Sequence, residues 1–362
     1  MIVDDELKEI QSKIIQRRRI NKQEAIFLFN APLSILSELA SLKNKELHDN
    51  KVFFIRNIHI EPTNICKNKC KFCSFSKMEQ ENGAYSLSFE DIIEKIEKAG
   101  DILEVHIVGG VNPKYDLNFY KNLFSTISKK FPKLHIKGLT AEEIVFLSEH
   151  SGLTIEKTLE ELKESGLKSM PGGGAEIFEP NVRKKICPEK ITAEQWLNVH
   201  QTAHNKGLKT NATMLYGHIE TINDRIEHLE QIRNLQDQTF GFNAFIPLKY
   251  KISNNSLNIE KETPLIDDLK VFAISRLFLD NIRHIKAYWP NIGFDNALLT
   301  LDFGVNDMDG TISQSTAIYE NTGNIKSGGI SASKLIKSFQ KVGKIPVERD
   351  SDYNFIQSFV CN

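Results

Sequence analysis

The stretch FFIRNIHI–EPTNICKNKCKFCSF, residues 53–75, decides how this chain reads. Its first eight residues are β-rich and predict a strand. Just beyond the strand come Cys66, Cys70 and Cys73, spaced C-x3-C-x2-C. Soft thiolates suit zinc or iron–sulfur clusters. A structural zinc site normally shows two close cysteine pairs or His partners, and here only one C-x2-C exists. The remaining two of the five cysteines, Cys187 and Cys361, are isolated and read as ordinary thiols. An ordinary [4Fe–4S] cluster takes four Cys ligands. Three close thiolates therefore leave one iron open to a substrate or cofactor, which is the expected reading. Zinc, or a complete cluster drawing on a remote cysteine, is the rival.

Outward from this loop the chain alternates short β-rich runs with capped helices. After 53–60, strands are expected at 104–108 (EVHIV), 134–139 (LHIKGL), 167–170, 208–215, 241–246, 283–289 and 297–303. Helices are expected from Ser88 to a stop at Gly100, over 117–129, and from Thr140, whose partner Glu143 completes a capping box. Others start at Thr154, at Thr192 with Gln195, at Asn223, and at Thr263 before Pro264. Eight strand candidates separated by helices imply a parallel α/β sheet, and eight repeats suggest a (β/α)8 TIM-type barrel. An open doubly wound sheet is the alternative. The expected division is a helical extension over 1–50, the barrel over 51–312, and a mixed C-terminal extension over 313–362 that packs on it.

Composition narrows the function classes. The 362 residues are 40% hydrophobic and 26% charged, and 46 Lys and Arg against 47 Asp and Glu leave a net charge of −1. Such balance argues against a broad nucleic-acid or membrane surface. No apolar run approaches the ~18 residues of a membrane span. The acidic N-terminus is unlike a signal peptide, and an odd cysteine count argues against a disulfide framework. A cytoplasmic protein is expected. Arg17–Arg18–Arg19 reads as a solvated helix face.

Several strand ends carry groups suited to a barrel-mouth site. Gly109 and Gly110 end the second strand and permit close backbone approach to a ligand. Pro171–Gly172–Gly173–Gly174–Ala175–Glu176 follows the fourth, with Glu176 a candidate for ribose hydroxyls. Arg183 is a candidate carboxylate partner, as is Arg56. His218 and Glu220 end the fifth strand candidate and are expected to point into the mouth. Asp307 and Asp309, in DFGVNDMDGT (302–311), read as a turn in preference to a cation site.

The C-x3-C-x-aromatic-C pattern, with Phe72 in the aromatic place, resembles the radical S-adenosylmethionine superfamily. That resemblance implies a [4Fe–4S] cluster on Cys66, Cys70 and Cys73 whose open iron is chelated by S-adenosylmethionine. Reduction of the cluster would then cleave the sulfonium to methionine and a 5′-deoxyadenosyl radical. It also implies that Gly109–Gly110 contacts the methionine amino group. HIEPTNICKNKCKFCSFSK (59–77), SMPGGGAEIFEPNVRKKICPEK (169–190), WLNVHQTAHNKGLKTNATMLYGHIET (196–221), LQDQTFGFNAFIPL (235–248) and KAYWPNIG (286–293) resemble the aminofutalosine synthases of the futalosine route to menaquinone. This implies a transferase that adds the radical to 3-[(1-carboxyvinyl)oxy]benzoate and yields 6-amino-6-deoxyfutalosine, with an electron donor such as flavodoxin or ferredoxin. Arg183 and His218 are then expected to serve the substrate. The family often has His where this chain has Asn112, so any role of that His does not transfer. The related cyclase acting on dehypoxanthine futalosine is one rival. A non-enzymatic iron–sulfur or zinc protein is the other.

Overall fold

The computed structural model describes residues 2–312, 318 and 329–360. Most of the first stretch of the expected C-terminal extension, and Cys361, therefore lie outside the described residues. The chain opens with three helices, α1 (Ile2–Ile15), α2 (Lys22–Leu28) and α3 (Leu33–His48). Arg19 bonds Asp237 at 2.6 Å and Asp280 at 3.0 Å, so that part of the arginine run ties the helices to the body and is not merely solvated.

The 53–60 run is broken at Arg56 into β1 (Lys51–Ile55) and β2 (Asn57–Ile60). From β2 onward seven parallel strands follow in chain order: β3 (Glu104–Ile107), β4 (His135–Gly138), β5 (Leu167–Met170), β6 (Lys209–Tyr216), β7 (Phe242–Lys249) and β8 (His284–Ile285) complete the sheet. The helices between them start where the side chains dictate. Ser88, Thr140, Thr192 and Thr221 each accept from the N3 amide while the N3 side chain bonds back. The helix expected from Asn223 thus starts at Ile222, capped by Thr221.

The run expected as the last strand, 297–303, is helical: Phe294–Leu299 followed by a 3₁₀ turn over Thr300–Asp302. Ala297 and Leu301 are buried while Leu299 is half exposed, a spacing of four that a short apolar run does not distinguish from a strand. The closing strand is instead β9 (Asp307–Gly310), the segment read as a turn. It bridges β8 through Lys286 and Asp307 and pairs in parallel with β1. Ile312 N–H also reaches the Asn57 side chain at 2.9 Å, which brings the end of β9 back to β2. β9 is hard to recognise because its inward side chains are acids. Burying them is tolerable only because basic partners come from elsewhere in the chain.

Apolar side chains of the sheet, Ile58, Ile60, Val105, Ile107 and Ile136 among them, are buried in a large core cluster. The polar residues alternate with them, and His59, His106 and Lys137 lie side by side in register. A barrel lumen of this kind is usually filled by branched apolar groups, so this polar layer marks where a site can form.

After the helix Ala332–Lys341, β10 (Ile345–Arg349) pairs with β1, and β11 (Phe355–Ser358) runs antiparallel beside it. Arg349 closes the floor of the barrel. It bonds Asp307 at 2.6 Å, and its guanidinium lies 4.0 Å from the Tyr353 ring centroid. Tyr353 stacks on His284 at 3.8 Å, and His284 on His48 at 4.9 Å.

Candidate active site

The cysteine loop leaves β2 at its C-terminal end. It is fixed by main-chain bonds from Cys66 N–H to Lys77 O (3.0 Å), from Lys67 N–H to Val111 O (2.9 Å), and from Lys71 N–H to Ile186 O (2.8 Å). Asn68 donates to Glu142 at 2.7 Å, and the other oxygen of Glu142 accepts Ile191 N–H at 3.0 Å. The loop is thereby clamped to the ICPEK segment. Cys66, Cys70 and Cys73 are partly exposed free thiols; Cys187 is a buried one. Burial pushes the Cys66 and Cys70 thiols up.

Two of the three sulfurs already receive a main-chain N–H: Cys66 Sγ from Val111 and Cys73 Sγ from Ser76, both at 3.3 Å. Such donors tune thiolates that bind iron. Among the described residues no three His, Cys, Asp or Glu side chains converge as a single metal ion requires. A cluster, in contrast, takes its thiolates on separate irons. The donor set and its hydrogen bonds fit a cluster.

Lys190, which the sequence reading did not single out, is the cation behind this loop. It bonds Glu176 at 2.5 Å, and its ammonium lies 5.6 Å from the Phe72 ring centroid. Burial alone would lower its pKa, but Glu176, followed by Cys70 and Glu142, holds it well above the usual range. Glu176 and Phe72 are thus brought together beside the thiols. Glu176 is also held at φ +48°, an uncommon conformation for a side-chain-bearing residue.

Gly109 and Gly110 lie against the same loop, for a local reason. A Cβ on Gly110 would fall 2.2 Å from Ile65 O. Gly109 N–H donates to Glu143 at 3.2 Å, so the capping carboxylate also holds the glycine turn. Burial raises Glu143 to about 7. Asn112 bonds Thr63 and Ser86 at 3.2 and 3.3 Å, which ties the turn to the start of the cysteine loop.

Three expected site residues have other employment. The Arg183 guanidinium donates to the carbonyls of Gly174, Ala175, Ile177 and Ile191 at 2.6–3.3 Å. Its partners are carbonyls, not a carboxylate, and it shapes the loop that carries Glu176. His218 is fully buried at its side chain, 3.0 Å from both Leu215 O and Glu220. Neither it nor Glu220 lines the mouth cavity. Burial would raise Glu220, but His218 and Arg225 outweigh it and bring the carboxyl down to about 2. Arg56 precedes β2, at the opposite end of the strand from the cysteines, and pairs with Glu348 at 2.5 Å and with Asp101.

The mouth leads into a cavity of about 170 Å³ within the barrel. Its walls include His59, Glu104, His106, Lys137, Lys286 and Asp309, with Gly172–Gly173, Thr213, Ile246, Leu248 and Tyr288. Gly172 is required here, because a Cβ would fall 2.7 Å from the β6 backbone at Ala212. The charged lining was missed because one polar residue in a short strand reads as a solvated face. The available signal was its recurrence at matching positions of NIHI, EVHI and HIKG.

Comparison with known proteins gives the class. Residues 60–232 match the Radical SAM superfamily, and residues 239–360 match the CofH/MqnC C-terminal region. The fold agrees. Methylornithine synthase superposes with a TM-score of 0.75 at 18% identity, covering 93% of this chain and 97% of its own. The FeFe-hydrogenase maturase of Carboxydothermus hydrogenoformans gives 0.75 at 17%, covering 97% and 81%.

The chain belongs to the radical SAM superfamily, in the family that holds the aminodeoxyfutalosine synthases. It is 38% identical to that synthase of Thermus thermophilus over 98% of this chain and 97% of the relative. The Streptomyces coelicolor synthase is 32% identical, over 97% and 94%. At 35%, over 97% and 99%, stands a Methanothermobacter thermautotrophicus protein named 5-amino-6-(D-ribitylamino)uracil–L-tyrosine 4-hydroxyphenyl transferase. The chain is thus an enzyme of the transferase kind, and the superfamily implies a [4Fe–4S] cluster and S-adenosylmethionine. Among the described residues no helix is long and apolar enough to cross a membrane.

Proposed function

We propose that this enzyme is an aminofutalosine synthase of menaquinone biosynthesis, converting 3-[(1-carboxyvinyl)oxy]benzoate and S-adenosylmethionine to 6-amino-6-deoxyfutalosine, methionine and CO2 or bicarbonate. The observation that carries this reading is the near full-length similarity to two proteins named for that activity. Bound to Cys66, Cys70 and Cys73, the cluster would supply the electron that makes the adenosyl radical, itself fed by a flavodoxin- or ferredoxin-like donor.

The chain's own residues would do the rest. Phe72, Gly109, Gly110 and Glu176 line the place for S-adenosylmethionine beside the thiols, and Lys190 adds positive charge there. Arg183 keeps the Glu176 loop in shape through its carbonyl bonds. The cavity walls hold the substrate at contact distance and exclude water, as a primary carbon radical demands.

The name of the Methanothermobacter relative favours a second reading, 4-hydroxyphenyl transfer between L-tyrosine and 5-amino-6-(D-ribitylamino)uracil. Product mass spectrometry separates the two. Anaerobically reconstituted, reduced enzyme with S-adenosylmethionine and the enol ether should give 6-amino-6-deoxyfutalosine. A coupled product from tyrosine and 5-amino-6-(D-ribitylamino)uracil, or free 5′-deoxyadenosine with cyclised dehypoxanthine futalosine, would overturn the assignment.

A further inference from the structure

The barrel interior has two unlike halves, and the division follows strand order. With β2 to β8 and then β9 as successive staves, β8, β9, β2, β3 and β4 form one continuous arc. They carry Lys286, Asp309, His59, His106 with Glu104, and Lys137 respectively to the cavity. The opposite arc, β5 to β7 and the loop after β5, supplies Gly172, Gly173, Asn211, Thr213, Ile246 and Leu248. Lys286 and Lys137 stand at the two ends of the charged arc. In a ring of eight staves, β8 and β4 face one another, so the two ammonium groups approach from opposite walls.

Each lysine is buried and rests on a carboxylate from the adjoining stave. Lys286 Nζ lies 2.6 Å from Asp309 Oδ1, and Lys137 Nζ lies 2.6 Å from Glu104 Oε2. An ammonium has three N–H donors. Among the described residues each hydrogen-bonds that one carboxylate, with Asp307 a further 3.9 Å ion-pair neighbour of Lys286, which leaves donors facing a cavity. Asp309 is held over Lys286 in a strained, left-handed conformation, φ +63°, with its own N–H bonded to Asp307 at 2.7 Å. Strain of that kind persists where surrounding structure enforces it, and it clusters at ligand sites.

Between the lysines stand two histidines. His59 Nε2 lies 3.3 Å from Asp309 and 3.4 Å from His106 Nδ1, and its Nδ1 lies 3.1 Å from the Tyr288 hydroxyl. Asn57 flanks it on its own strand at 3.4 Å. His106 faces His59 from β2, Lys137 from β4 and Asp309 from β9, with Glu104 on its own strand. Its Nε2 is buried with no hydrogen-bond partner among the described residues.

Charge bookkeeping gives this arrangement its meaning. Lys137 and Lys286 are cancelled by Glu104 and Asp309, so the lining is formally neutral while the histidines are neutral. An aromatic substrate bearing two carboxylates would add two negative charges to a buried space, at high cost unless they are compensated. Among the described residues on the charged arc, His106 is the imidazole with a ring nitrogen left without a partner, and it can take up a proton.

We propose that the cavity is a dianion clamp: Lys286 and Lys137 each take one substrate carboxylate, and His106, through its unpartnered Nε2, takes up a proton that offsets part of the added charge. The inference rests on the functional reading above for the identity of the dianion. It also supplies a selectivity. A tyrosine zwitterion brings one carboxylate and no net charge and sets an ammonium among ammonium groups, so it uses at most one of the two lysines.

The test is calorimetric titration of anaerobically reconstituted enzyme, loaded with S-adenosylmethionine and left unreduced, with the enol ether. Running it in phosphate and in Tris at pH 7.5 gives the protons taken up. Uptake of about one proton is expected, with affinity rising about tenfold for each pH unit lowered. Lys286→Met leaves Asp309 unpaired and risks misfolding, so Lys286→Met/Asp309→Asn is the informative variant, with Lys137→Met/Glu104→Gln as its counterpart. Each should keep its fold by circular dichroism and weaken enol-ether binding by roughly 10- to 100-fold, with S-adenosylmethionine binding unchanged. Tight enol-ether binding without proton uptake, or undiminished in both double variants, overturns the clamp and leaves the functional reading standing. Isophthalate bound with proton uptake while the enol ether is neither bound nor turned over supports the clamp and overturns the functional reading.

Discussion

Two buried ion pairs on one strand, β9, differ in everything but their chemistry. Asp307 meets Arg349 on the barrel floor, where the guanidinium is fully buried against Tyr353. Two residues further along, Asp309 meets Lys286 beside open volume. Lys286 Nζ lies 3.9 Å from Asp307 and 2.6 Å from Asp309, so both acids face the lumen at successive levels. The floor pair is enclosed by packing. The cavity pair is enclosed only in part, so a ligand can share its lysine. A buried charge pair is therefore weak evidence for a site until one asks what lies on its open side.

The largest effect expected leaves both pairs untouched. Cys66→Ala should abolish iron retention and reduce turnover below about one part in a thousand, read by iron content and product formation. The unfolding midpoint of the apoprotein should hold. If iron content is unchanged, the thiol loop is not the cluster site.

Arg349→Met tests the floor. Removing one partner of a fully buried pair costs about 3–5 kcal/mol, measurable by urea unfolding. Lys286→Met removes the equivalent partner beside the cavity, where water can reach Asp309. It should cost about half as much. Equal losses would erase the distinction between floor and cavity.

A smaller effect belongs to the mouth. Burial raises Glu143 to about 7, so the folded protein holds a proton there that the unfolded chain releases near 4.5. Stability should therefore fall as pH rises between those values, by at most roughly 3 kcal/mol. Glu143→Gln should flatten that part of the stability profile. An unchanged slope would remove Glu143 from the account. Smallest of all, Lys98→Ala breaks an exposed pair with Glu94 one helical turn away and should shift stability by less than about 0.5 kcal/mol. It serves as the solvent-exposed baseline for the buried pairs.

Much of the frame was legible because it rests on local rules. Ser88, Thr140 and Thr192 mark helix starts through bonds made within four residues, and Cys66, Cys70 and Cys73 declare their chemistry by spacing. At 297–310 the expected strand is helical and the expected turn is the strand, because the helical run is apolar and the true strand acidic. Arg183, His218 and Arg56 were assigned by residue type and proximity to strand ends, which says nothing of which groups the fold sets against them.

The sequence by itself determined an alternating α/β chain with three clustered thiols after its first parallel strand, since periodicity, capping and spacing are short-range properties. Only the tertiary structure decided that β9 closes the barrel, that Lys190 stands behind the thiols, and that charged side chains from five strands meet across one cavity. The physical reason is desolvation. Whether a lysine or an aspartate tolerates burial depends on a partner that is distant in the chain, and neither residue carries any local mark of it.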